Sequence, residues 1–73
     1  LGMEKKVYTL MSYGDKVECF AVSEDKEKIK TYLKEYLEEI SEYGCTFIEC
    51  ENTGDVTVND GQEIMIEESI LLV

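Results

Sequence analysis

The spacing of apolar positions changes twice along the chain. Residues 7–11 (Val-Tyr-Thr-Leu-Met) and 16–22 (Lys-Val-Glu-Cys-Phe-Ala-Val) are rich in β-formers, and Tyr13-Gly14-Asp15 lies between them. Glycine supplies the positive φ that a tight turn uses, so this stretch predicts a β-hairpin. In its second strand Val17, Cys19 and Ala21 alternate with Glu18, Phe20 and Val22. Both sets carry apolar side chains, which leaves open which face meets the core.

After Ser23 the period becomes 3.6. Ile29, Leu33, Tyr36, Leu37 and Ile40 form one stripe, with Tyr32 and Tyr43 at its flanks. Ser23 is a preferred N-cap, and Glu24-Asp25 would then sit in the first turn, where the helix dipole favours negative charge. The next glycine is Gly44, suited to the position just past a helix end. The pattern predicts a helix over about residues 24–42, roughly 28 Å long.

Short β-prone runs follow at 46–51, 56–58 and 63–67. They are separated by the turn clusters Asn52-Thr53-Gly54-Asp55 and Asn59-Asp60-Gly61. Residues 69–73 read as a last strand or as a cover over the core. The expected fold is α+β: a single amphipathic helix on one face of an antiparallel sheet, in the order ββα and then two or three strands. Leu1-Gly2 reads as a cloning scar before Met3, and residues 3–73 as one domain with an expected radius of gyration near ~11 Å.

Composition narrows the function classes. The 73 residues hold no His, Arg, Trp or Pro, and seven Lys against seventeen Asp and Glu give a net charge of −10. Such a surface repels phosphate backbones, which argues against direct nucleic-acid binding. No apolar run reaches membrane-spanning length. Three cysteines, Cys19, Cys45 and Cys50, are an odd number, so the expectation is a cytoplasmic chain with reduced, partly buried thiols. Without histidine there is no His base, His ligand or Cys–His pair. The four-residue gap between Cys45 and Cys50 is not a zinc spacing. The stretch 51–55 and the Asn59-Asp60-Gly61 turn hold calcium-type donors but not the EF-hand spacing, and they read as turns. The expectation is therefore a non-enzyme without cofactor or metal.

The charge is unevenly placed. Residues 1–34 hold all seven Lys and six acids, and residues 35–73 hold eleven acids and no Lys. Glu35, Glu38, Glu39 and Glu42 fall near the helix C-terminus. They oppose the dipole there and form like-charge i,i+4 pairs. Lys34–Glu38 offsets this only a little. Solubility explains such a row, and so does a binding surface for something basic. Glutamates on neighbouring turns are ~5–6 Å apart. That spacing is comparable to successive phosphates on a nucleic-acid strand, about 3.4 Å of axis per charge. Glu49, Glu51, Asp55, Asp60, Glu63, Glu67 and Glu68 extend the surface if the sheet brings them to it. Tyr13, beside Gly14 at a hairpin tip with little to pack against, is the aromatic anchor candidate. Tyr43 is the second, although packing is the plainer role for Tyr32, Tyr36 and Tyr43.

The Lys-free half with its Glu35, Glu38, Glu39 and Glu42 row resembles small acidic phage-encoded inhibitors of bacterial defence nucleases, the anti-CRISPR type. It also resembles antitoxins and nuclease immunity proteins. The resemblance is one of composition over about half the chain. It implies a stoichiometric inhibitor, active in evading host defence, that mimics DNA on a basic nucleic-acid-binding partner. The rival expectation is a homo-oligomeric or scaffold module, such as a homodimer joined through a sheet edge or the C-terminal strand, whose acidity serves solubility.

Overall fold

A computed structural model describes residues 4–58 and 61–72. The chain runs β1 (Glu4–Tyr13), β2 (Val17–Ser23), α1 (Lys26–Glu42), β3 (Phe47–Glu49), β4 (Val56–Val58) and β5 (Glu63–Leu72). This is the expected ββα order followed by three strands. The strands form one antiparallel sheet in the order β2-β1-β5-β4-β3. The helix lies on one face.

Local chemistry moves the helix start. Asp25, rather than Ser23, is the N-cap, and its carboxylate accepts from the Glu27 N–H at 2.9 Å. The Ser23 hydroxyl accepts from the Asp25 N–H one step earlier. Either side chain is a good cap; the one that reaches a free first-turn N–H takes the position. At the other end Tyr43 is the C-cap and Gly44 follows at φ +88°, a region that favours glycine.

Leu10, Ile29, Leu33, Leu37, Val56, Val58 and Ile64 form the buried core, with Leu10 and Ile64 at 0% exposure. Each such side chain contributes about 1.5–3 kcal/mol relative to an exposed one. The buried polar side chain of Ser12 is satisfied by Gln62, whose Nε2 donates to the Ser12 hydroxyl.

A bulge decides the facing of β2. Leu10 pairs with Ala21 but Met11 pairs with Cys19, so Phe20 is the extra residue. Alternation breaks there. Ala21 shares the helix side with its partner Leu10, while Val17, Cys19 and Val22 pair with Tyr13, Met11 and Thr9 on the opposite face. Phe20 packs its ring on Tyr36, with centroids 5.2 Å apart. Both Phe20 and Ala21 touch the core.

Residues 69–72 are strand rather than cover, but they continue the 63–67 run instead of forming a separate last strand, and Val73 lies outside the described residues. Residues 63–72 are one continuous strand, paired with β1 from Tyr13↔Glu63 to Glu4↔Leu72. β2 meets β1 only as far as Tyr8↔Ser23. Residues 4–7 and 69–72 therefore project as a two-stranded ribbon. This gives a radius of gyration of 13.5 Å and extents of 49 × 24 × 22 Å, longer than a compact chain of this size. Cys19 and Cys50 are exposed and Cys45 is half-buried, so only Cys45 fits the expected packing role. Asn59 and Asp60 of the second turn lie outside the described residues. Gly61, at φ +91°, donates to the Val58 carbonyl and begins the return. No helix among the described residues is long and apolar enough to cross a membrane.

Candidate acidic interface

Helical geometry sets the acidic row. The apolar stripe commits one side of α1 to the sheet, so Glu35, Glu38, Glu39 and Glu42 all emerge exposed. The last turn holds no basic residue. Among the described residues the ion pairs are Lys5–Glu24, Lys6–Glu68 and Lys30–Glu27, at 3.4–3.5 Å. They neutralise acids at the sheet and at the helix N-terminal end. None engages the four glutamates of the row.

The row divides by flank. Glu38 and Glu42 line a groove of about 1050 Å³ between α1 and the β3–β4 region, and Glu49 and Glu51 line it as well. Glu35 lies beside Lys28 and Tyr32 on the other flank of the helix. The same groove carries Lys26, Lys30 and Lys34 along the helix wall. It is polarised, basic toward the helix N-terminus and acidic toward the C-terminus. Of the sheet-side acids, Glu49 and Glu51 thus join the helical row. Glu67 and Glu68 do not: Glu67 accepts a hydrogen bond from Tyr13, and Glu68 pairs with Lys6. Asp60 lies outside the described residues.

The two anchor candidates separate. Tyr43 caps the helix at 82% exposure, directly after Glu42, so packing is not its role. Tyr36 does pack, on Phe20 and the core, and Tyr32 is exposed. Tyr13 ends β1 half-buried, and its hydroxyl donates to the Glu67 carboxylate. The expected tip position with little to pack against thus comes with a partner from β5 that engages its hydroxyl. That hydrogen bond, with burial and the carboxylate's charge, pushes the phenol above its ordinary value. The interaction is present below the usual tyrosine range and is lost as pH rises through the raised value.

Sequence reasoning missed one reactive group. In the turn after β3, Cys50 N–H donates to the Asp55 carbonyl and Gly54 N–H to the Cys50 carbonyl, both at 2.7 Å. Gly54 takes φ +77° to close it. The Thr53 hydroxyl, then the Thr53 and Asn52 backbone N–H groups, hydrogen-bond to the Cys50 sulfur and lower its pKa from the ordinary thiol value. More thiolate at neutral pH means faster alkylation. Exposed Cys50 is expected to react with iodoacetamide before half-buried Cys45, and Thr53→Val to slow it; peptide mass mapping over time reads both. The signal in the sequence was a threonine three residues beyond a cysteine in a glycine turn.

Among the described residues no group of three or more Cys, Asp or Glu side chains is placed to hold a metal ion. Compared with known proteins, the chain matches no family model, no curated protein and no solved structure.

Proposed function

We propose that this chain is a small acidic protein-binding inhibitor that occupies the basic nucleic-acid-binding surface of a partner, such as a CRISPR or other defence nuclease. One observation carries the reading. Glu38, Glu39 and Glu42 stand exposed without an ion-pair partner among the described residues, Glu49 and Glu51 continue the charge across the groove, and Tyr43 stands open beside them. Glu39 and Glu42 oppose the dipole in a last turn with no basic residue, and Glu35–Glu39 and Glu38–Glu42 repel as i,i+4 pairs, at a few tenths of a kcal/mol each. Solubility needs net charge but not this placement. A basic partner turns the same repulsion into attraction, speeds encounter and makes binding salt-sensitive. Exposed Tyr43 supplies the amphipathic ring that interfaces favour. An immunity protein or antitoxin acting on a nuclease uses the same surface chemistry.

The test is capture from bacterial lysate on the immobilised chain at low and high salt, followed by competition with DNA. The expected partner is a basic nucleic-acid-binding protein, held at low salt, released at high salt and displaced by DNA. A partner that binds DNA while still held by the chain removes the proposal, as does recovery of the chain alone.

A further inference from the structure

We propose that β5 pairs with β5 of a second copy, antiparallel about Ser69, to form a two-fold symmetric dimer with a continuous sheet. The observation is an open strand edge of known polarity. β4 pairs with β5 only at Ile64 and Glu63, yet β5 continues to Leu72. Val58 N–H donates to the Gln62 carbonyl at 2.8 Å, which makes 58/62 a hydrogen-bonded pair in the β4–β5 register. Bonded pairs alternate along an antiparallel ladder, so Val56/Ile64 is bonded too. The even-numbered residues of β5 therefore turn their N–H and C=O groups toward the β4 side. Past Ile64 those of Ile66, Glu68, Ile70 and Leu72 face an edge with no strand beside it among the described residues.

A two-fold axis normal to a sheet keeps each side chain on its face, so a residue of the central position must face its own copy. Centring on Glu68 or Glu67 sets like charges directly opposite, which destabilises. Centring on Ser69 does not: Glu68 faces Ile70 of the second copy, Glu67 faces Leu71 and Ile66 faces Leu72. The bonded pairs required by the edge polarity are those of Glu68 with Ile70 and Ile66 with Leu72. Ile70 and Leu72, 58% and 74% exposed, then gain apolar neighbours. Ile66 lines the groove beside α1, and Gly54 lines its other side. The incoming Leu72 thus arrives at an apolar floor that includes Leu33, Leu37 and Val56. The axis preserves faces, so both helices lie on one side of the joined sheet. The incoming Leu72 reaches the floor of the groove that Glu38 and Glu42 also line, but the paired edge is β5 itself. Sedimentation and crosslinking read the dimer with no basic partner present, so its failure and the failure of the inhibitor reading are distinguishable.

The test places a thiol at the axis. In a chain carrying Cys19→Ser, Cys45→Ala and Cys50→Ser, Ser69→Cys is expected to form a covalent dimer on mild oxidation. Opposed non-bonded positions are ~4.5 Å apart between Cα atoms, within disulfide reach. Leu71→Cys in the same background is expected to crosslink far more slowly, because the two copies of that position lie ~13 Å apart along the strands. Sedimentation of the natural chain is expected to show a concentration-dependent dimer. Leu72→Glu is expected to weaken it by at least about tenfold with an unchanged circular dichroism spectrum. A strict monomer at all concentrations overturns the proposal and leaves the edge to a foreign strand. Equal crosslinking of Ser69→Cys and Leu71→Cys overturns the register.

Discussion

Reversing Glu38, Glu39 and Glu42 together to Lys is expected to abolish capture of a basic partner while the fold survives. Each reversal adds two charges, taking the net from −10 to −4. All three side chains are exposed and none is in an ion pair among the described residues. The cost to the monomer is therefore small. Positive charge in the last helical turn interacts favourably with the dipole, by about 0.3–1 kcal/mol per residue near the surface. Glu39→Lys also places a cation four residues after Glu35, the favourable order, while lysines at 34, 38 and 42 form like-charge i,i+4 pairs that offset part of the gain. Truncating one partner of a close interfacial charge pair costs ~2–5 kcal/mol, so three reversals should weaken the complex by well over about 100-fold. Binding measured by calorimetry and melting measured by circular dichroism separate the two effects. Retained affinity in a folded variant would end the inhibitor reading. A collapsed melting temperature would mean that the row supports the fold.

The second large effect lies in the core. Leu10→Ala is expected to destabilise the chain by about 2–5 kcal/mol, through lost burial and the cavity left behind. A domain of this length has roughly 4–11 kcal/mol in total. The melting temperature should fall by at least about 10 °C. Leu10 occupies the crossing point of the structure: it pairs with Ala21 and Ile66 on either side and belongs to the core under α1. β1 is flanked by strands on both edges, which holds its backbone in place around the volume that would be emptied. Ile48→Ala is the control, since Ile48 is 76% exposed on the three-residue strand β3 and should change stability by no more than about 0.5 kcal/mol. Comparable losses for the two in urea melts would mean the core is elsewhere.

Periodicity carried the fold class. Ile29, Leu33 and Leu37 repeat every four residues and can only make one buried helical face, and Gly44 marks where it ends. The Val56–Val58 strand was legible for the same reason, with its exposed Thr57 between two buried valines. The acidic row was legible because helical spacing fixes it locally.

What the tertiary structure decided was every feature that depends on partners far apart in sequence. The bulge at Phe20 reverses the facing of half of β2, and alternation within one strand cannot reveal a shift defined against another strand. Residues 69–72 join β5 because Glu4 to Val7 lie beside them, more than sixty residues earlier in the chain. Tyr13 and Tyr43 look alike as isolated residues. Glu67 arrives beside Tyr13 from 54 positions away and occupies its hydroxyl, while Tyr43 stays exposed. Glu49 and Glu51 join Glu38 and Glu42 across one groove, while Glu67 and Glu68 are drawn into other contacts. Local physics, acting over one turn or one strand, was determined by the sequence alone. The pairing of distant segments, which chooses among many locally equivalent surfaces, was settled only when the sheet closed over the helix.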